Sequence, residues 1–185
     1  MDFPFIQTLE DNWKAVLEEL DSLLYDEAAN NKNYFDSWPE TDIYTGTWDV
    51  FGLYYMGQKL EKNCILCPKT TALIESIPGM TTAGFSALAP ETEITPHVGY
   101  TDSVLRCHLG LIVPQPVEGR ETLLPTCALQ VEQEIYTWVP GRAFVFDDTK
   151  LHSAWNYGDR TRFVLLIDFL KNATEPSLDL TPSFN

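Results

Sequence analysis

The sequence predicts a mainly β domain, a sandwich or barrel, with its helices confined to the first 76 residues. Three observations predict it. From residue 83 onward, short strand-like runs succeed one another, each ended by Pro, Gly or Asp turn signals. Helical spacing of apolar residues shows only ahead of that point. A chain of 185 residues, 44% of them hydrophobic, is long enough for one domain with a sizeable core.

Taken in order, Thr8 to Tyr25 reads as a helix. Thr8 is its N-cap, Asp11 places acid in the first turn, and Trp13, Val16, Leu17, Leu20, Leu23 and Leu24 form one apolar stripe. That stripe packs on a sheet or binds a partner. Residues 30–40 are polar and aromatic and read as loop. Trp48 to Met56, rich in aromatics, is a strand. Pro68 opens a short helix over Lys69 to Ser76, which Pro78-Gly79 closes. The strands that follow are Phe85 to Ala89, Leu105 to Val113, Cys127 to Val131, Ile135 to Trp138, Ala143 to Asp147 and Phe163 to Phe169. Pro90, Pro114 to Pro116, Pro140-Gly141 and Gly158-Asp159 separate them. There is no internal repeat.

Composition narrows the function. A net charge of −15 disfavours nucleic acid and anionic membrane surfaces, although a local arginine pair can still hold a small anion. No apolar run is long enough to span a bilayer, and Met1-Asp2-Phe3-Pro4 does not open a secretory signal, so the expected location is cytoplasmic. Cys64 and Cys67 form a lone C-x-x-C, while Cys107 and Cys127 stand apart. The expectation is four reduced thiols, with a Cys64–Cys67 disulfide as the alternative.

The chemistry concentrates in two windows. One holds His97 in Pro96-His97-Val98-Gly99, then Arg106 and His108 in Leu105-Arg106-Cys107-His108-Leu109. The other holds Asp147-Asp148, His152 and Arg162. If the run from Leu105 is a strand, Arg106 and His108 share one face, and Leu105, Cys107, Leu109 and Leu111 share the other. Arg162 opens a strand whose run Phe163 to Ile167 reads as buried on both faces, so it is either a surface end or a buried anion anchor. Two imidazoles brought together hold a metal, and arginines beside them hold an anion. The two-histidine, one-carboxylate iron site carries its carboxylate two residues after the first histidine, and here that residue is Gly99. Each histidine also has an ordinary structural reading: a surface loop for His97, a half-buried imidazole for His108, a turn for His152. Asp147 and Asp148 read as capping the turn before His152.

The ordered set Gly84-Phe85-Ser86, Pro96-His97-Val98-Gly99, Leu105 to Leu111, Trp138 with Gly141, Phe146-Asp147-Asp148, His152 with Trp155-Asn156, and Arg162 resembles the aspartyl/asparaginyl β-hydroxylase family of Fe(II)- and 2-oxoglutarate-dependent oxygenases. The resemblance runs from about Phe5 to Phe169. It implies a double-stranded β-helix (a jelly-roll, cupin-like fold) with the N-terminal helix and the short second helix packed outside. It also implies one oxygenase domain over 1–185, with helical support at 5–28, a core at about 45–170 and a tail at 171–185.

The same resemblance accounts for Gly99, because the family keeps only two histidines on iron. By it, His97 and His152 are the metal ligands, Arg162 and Ser86 hold the distal carboxylate of 2-oxoglutarate, and Arg106 and His108 contact the carboxylate nearer iron. Guanidinium forks suit such carboxylates. The implied reaction is a dioxygenase hydroxylation that consumes O2 and 2-oxoglutarate and releases succinate and CO2. Its target is an unactivated C–H, foremost the β-carbon of an aspartyl or asparaginyl unit.

The chain departs from the family in having no tetratricopeptide-type domain ahead of the matched stretch, and its 115–133 hairpin is longer than usual, either a candidate specificity element or a tolerated surface insertion. Both point to a small amino acid, peptide or carrier-tethered substrate, with no nucleic-acid or membrane partner. A lipid A substrate fits poorly with a charge of −15. Two alternatives remain: a halogenase that places chloride in the gap at Gly99, and a non-catalytic barrel that binds a carboxylate or metal.

Overall fold

The computed structural model describes residues 3–25, 34–115 and 124–174. Helix α1 spans Phe5–Leu24, three residues earlier than its sequence signals suggest, because it starts at Pro4 with no side-chain cap. Thr8 lies inside it. The early turn is held instead by aromatic packing, with Phe3 and Phe5 both meeting Phe169 edge-on. The expected second helix is α3 (Pro68–Glu75), with Pro68 in its first turn. A short α2 (Glu61–Leu66) precedes it and has no sequence pattern that announced it.

Among the described residues, all strand pairs are antiparallel and fall into two sheets. The larger is ordered β1 (Asp36–Ser37), β3 (Trp48–Tyr55), β5 (Met80–Leu88), β12 (Arg162–Leu170), β7 (Val104–Ile112), β10 (Ala143–Phe146), with β4 (Gln58–Lys59) beside β3. The smaller is ordered β2 (Tyr44–Thr45), β6 (Thr92–His97), β11 (His152–Asn156), β8 (Cys127–Val131), β9 (Glu134–Tyr136). Facing antiparallel sheets joined by these crossovers are a double-stranded β-helix, the expected mainly β fold. Strands β6 and β11 were not legible. Pro96 counts against a strand, and His152 reads as a turn residue.

Side-chain alternation divides the larger sheet between two cores. Phe163, Leu165, Ile167 and Phe169 of β12, with Cys107, Leu109 and Leu111 of β7, pack against Leu9, Val16, Leu20 and Leu23 of α1. The α1 stripe therefore covers the sheet rather than a partner. The opposite face of β12 turns Arg162, Val164, Leu166 and Asp168 into the barrel, where Val164 joins Trp48, Leu88, Leu129, Trp138 and Phe146. The helix layer is tied down by Glu19, a buried carboxylate that accepts hydrogen bonds from the N–H groups of Lys69 and Thr70 (2.7 and 2.8 Å) and the Thr70 hydroxyl (2.6 Å). It thus occupies the N-terminus of α3.

Candidate active site

Register across the smaller sheet brings two distant histidines together. His152 of β11 lies directly opposite His97 of β6, and their rings sit 4.2 Å apart between centroids, tilted by 54°. Each Nδ1 bonds a backbone carbonyl two residues earlier: His97 donates to Thr95 O (2.8 Å) and His152 to Lys150 O (2.9 Å). With Nδ1 protonated, each Nε2 keeps its lone pair, and both residues line the same cavity of about 30 Å³ inside the barrel. That is the usual way a metal-binding histidine is oriented. Burial pulls the His152 imidazole down to about 4, which keeps it neutral and able to ligate. Among the described residues no cluster of three His, Cys, Asp or Glu stands ready for a metal.

Deeper in the cavity the groups are donors. Arg162 is buried at the start of β12 and Ser86 lies one rung away on β5. Ser86 Oγ accepts from Trp48 Nε1 (3.0 Å) and from Arg162 Nη2 (3.4 Å), so its O–H proton is left to donate. The Arg162 guanidinium sits over the Trp138 ring at 4.6 Å, and burial lowers its pKa to about 10. Trp138 Nε1 donates to His108 Nδ1 at 3.3 Å. That bond makes Nδ1 an acceptor and leaves His108 with its proton on Nε2, which is buried without a partner, as is Arg162 Nε. Burial, then the charges of Arg162 and Arg106, hold His108 well below the usual imidazole range. A guanidinium, a hydroxyl and an imidazole N–H thus converge with donors unused, a cradle for a carboxylate.

Arg106 is buried and lines the same cavity, and its alternation with His108 on β7 is as expected. Its guanidinium is already engaged, however: Nε and Nη2 bond Asp168 in a fork (2.7 and 2.9 Å), and Nη2 lies 3.2 Å from Asp148. Burial opposes the Arg106 charge, but the bond and charge of Asp168 outweigh it and raise the pKa. Asp168 sits directly opposite Arg106 across β12 and β7. It shares the inward face with Arg162, so an acid in an otherwise apolar strand was the signal available for it.

Asp147 behaves as expected, accepting from Thr149 N–H (3.1 Å) and hydroxyl (2.7 Å) and pairing with Lys171 (3.1 Å). Asp148 does not cap that turn. It points inward, fully buried, and its carboxylate occupies the space beside Gly99. A Cβ at position 99 would lie 2.5 Å from Asp148 Oδ2 and 2.6 Å from Cγ. The missing carboxylate after His97 and the inward-turned Asp148 are two halves of one packing arrangement, which no local pattern revealed.

Of the 115–133 hairpin, residues 116–123 lie outside the described residues. All four cysteines are free and buried. Burial pushes the Cys67 and Cys107 thiols up to about 12 and Cys127 to about 11. No helix of the described residues is long and apolar enough to cross a membrane.

Comparison with known proteins places these motifs. A sequence model of the family described as aspartyl/asparaginyl β-hydroxylase matches residues 10–172. An ornithine lipid ester-linked acyl 2-hydroxylase of Rhizobium tropici is 37% identical over 176 residues, 95% of this chain and 60% of that protein. The aspartyl/asparaginyl β-hydroxylase of Mus musculus is 32% identical over 88% of this chain, and the chain spans 21% of its length. An aspartate β-hydroxylase domain-containing protein 2 of Homo sapiens is 33% identical over 88% of the chain and 43% of its own. Among solved structures, one described as a predicted oxalate decarboxylase of Thermotoga maritima aligns with TM-score 0.47 at 11% identity, covering 74% of this chain and 91% of that one. A cupin-like protein of the same organism aligns with TM-score 0.44 at 9% identity, covering 78% and 86%.

Proposed function

This chain belongs to the aspartyl/asparaginyl β-hydroxylase family, and on that premise we propose that it is an Fe(II)- and 2-oxoglutarate-dependent hydroxylase. The observation that carries the reading is one cavity in which two imidazole lone pairs stand beside unused buried donors, His108 Nε2 and Arg162 Nε. Those residues suit the implied groups: neutral imidazoles for a divalent iron, and a guanidinium with a hydroxyl for a dicarboxylate.

In this reading His97 and His152 hold the iron, and their Nδ1–carbonyl bonds fix the rings. Arg162 and Ser86 take the distal carboxylate of 2-oxoglutarate, with Trp48 and Trp138 holding those two groups in place. His108 donates from Nε2 to the carboxylate nearer iron. Arg106 keeps positive charge beside the cavity and pairs with Asp148, since two of its nitrogens are already committed. Phe146, Leu129, Ile94 and Leu166 line the rest of the cavity and exclude water. When bound together, iron, 2-oxoglutarate and O2 supply the oxidant that converts C–H to C–OH, with succinate and CO2 released.

The family points to the β-carbon of an aspartyl or asparaginyl unit as the target. A second reading, an acyl chain, is favoured by the Rhizobium relative, whose match runs over 95% of this chain. The halogenase alternative loses ground, because the Asp148 carboxylate beside Gly99 opposes a chloride ion there.

The test is an anaerobic titration with Fe(II) and 2-oxoglutarate followed by visible absorption, then succinate release on adding O2 with aspartyl, asparaginyl or acyl compounds. A charge-transfer band that His152→Ala loses while remaining folded is expected. A well-folded protein that takes up iron and 2-oxoglutarate without a band refutes the reading and leaves a binding barrel.

A further inference from the structure

Five large apolar side chains stand in solvent around the mouth of the barrel. Tyr55, Met56, Val98, Tyr100 and Leu151 are each between 54% and 57% exposed. Single exposed hydrophobes need no explanation, but a cluster does. Backbone bonds show that these belong together. Val98 follows His97 and Leu151 precedes His152, and Gly99 N–H donates to Asp148 O at 2.7 Å, tying the two segments to one another. The Met56 N–H donates to the hydroxyl of Thr82 (3.2 Å), and Tyr100 lies close enough to Thr82 and Tyr55 to feel both.

Met56 adds an independent signal. It forms, with Gly57, the two-residue turn between β3 and β4, where Tyr55 pairs with Gln58. Both turn residues have positive φ, 48° at Met56 and 79° at Gly57. Such turns favour Asn, Asp or Gly at the first position, and a side chain there is strained. The chain instead holds a large apolar residue in that conformation and leaves it exposed, so neither local preference nor burial in the fold accounts for it.

Charge narrows the partner. Among the described residues, the cations near these side chains carry acidic partners: Arg106 with Asp168 and Asp148, Lys59 with Glu75, Lys150 with Glu132, Lys171 with Asp147. The net charge is −15. An anionic headgroup or acidic peptide finds repulsion here, whereas apolar chains beneath a neutral headgroup layer do not.

We propose that this rim is a docking surface for a zwitterionic lipid bilayer, with the Tyr55–Met56 tip and Val98, Tyr100 and Leu151 seated among the acyl chains. The mouth of the His97–His152 cavity then opens onto lipid. Docking stands on the rim alone; the further step, that the lipid's acyl chain is the group hydroxylated, rests on the oxygenase reading. This proposal replaces the expectation of no membrane partner. An aqueous chain with a net negative charge still docks on neutral lipid through apolar contact.

The test is flotation of the full chain with phosphatidylcholine vesicles, alone and with added phosphatidylglycerol. Wild type is expected to float with phosphatidylcholine and less with the anionic lipid. Tyr55→Ser/Met56→Asn is expected to weaken partition at least about tenfold. Met56→Asn alone is expected to weaken it with Tm unchanged or raised, since Asn suits the turn, which separates docking from folding. Wild type that stays in the unbound fraction, or Met56→Asn that floats equally, overturns the proposal. Vesicle binding retained in a protein that gives no iron and 2-oxoglutarate band supports docking while rejecting the oxygenase reading. Loss of binding in the variants with that band intact supports docking and leaves the oxygenase reading in place.

Discussion

Adding one methyl group at Gly99 measures how tightly the inward-turned Asp148 is held. The Cβ of Gly99→Ala would lie 2.5, 2.6 and 2.9 Å from Asp148 Oδ2, Cγ and Oδ1, so the carboxylate or the backbone must move. The carboxylate is buried against Arg106 at 3.2 Å, and the Gly99 backbone is held by its N–H bond to Asp148 O. Overpacking against groups so constrained costs about 1–3 kcal/mol. For a chain of this length each kcal/mol lowers Tm by about 2–4 °C, so a fall of roughly 4–8 °C is expected at the midpoint. Asp148→Ala costs about 1–3 kcal/mol by itself, since Arg106 loses one partner and keeps Asp168. Combined, the two substitutions are less damaging than their sum, because the space the methyl needs is now open. A thermal-melt double-mutant cycle on the metal-free protein reads this directly. Coupling of at least about 1 kcal/mol is expected, and additivity within about 0.5 kcal/mol would refute the reasoning. The same geometry applies to Gly99→Asp, which must displace Asp148 before its carboxylate reaches His97. It should therefore melt lower than Gly99→Ala, and Asp148→Ala should restore its Tm.

Other expectations follow from the packing around the cavity. Trp138→Phe keeps an aromatic face for Arg162 but removes the donor to His108 Nδ1. It should weaken 2-oxoglutarate binding by about 5- to 30-fold, worth about 1–2 kcal/mol, and nitrogen NMR of the imidazole should show His108 passing from a single Nε2–H tautomer to a mixture; unchanged affinity with a single tautomer would sink the role. Glu19→Ala removes three hydrogen bonds at the start of α3 and should cost about 2–4 kcal/mol in denaturant unfolding, while cosubstrate affinity stays unchanged because α3 lies outside the barrel. Burial depresses the pKa of His108, so below the ordinary histidine value of about 6.5 the unfolded chain binds a proton that the native chain refuses. Its contribution is therefore present above that pH and is lost as pH falls, by at most about 1.4 kcal/mol per pH unit. His108→Gln should flatten the stability curve between about pH 6.5 and 5, and an unaltered slope there would show that His108 is not buried neutral.

The sequence alone determined whatever depends on local periodicity. Alternation in β7 sorted Arg106 and His108 from the residues that pack under α1, because neighbouring side chains on a strand must point to opposite faces; β12 reads as buried on both faces, and only the fold shows which face Arg162 shares. The 3.6-residue stripe of α1 likewise fell to one side. The ordered motifs led to the family before any contact was known. Tertiary structure decided what depends on register and on distant segments meeting. His97 and His152 are 55 positions apart in sequence, and only the pairing of β6 with β11 sets their rings 4.2 Å apart. Pro96 and the polar run from His152 hide that pairing from a reading based on strand preference. Trp48, Trp138 and Asp168 acquire their roles from hydrogen bonds 30 to 62 residues long in sequence, and Asp148 acquires its from the absence of a side chain at Gly99. A propensity belongs to one residue and its neighbours, whereas the direction in which a buried polar atom finds its partner is a property of the packed barrel.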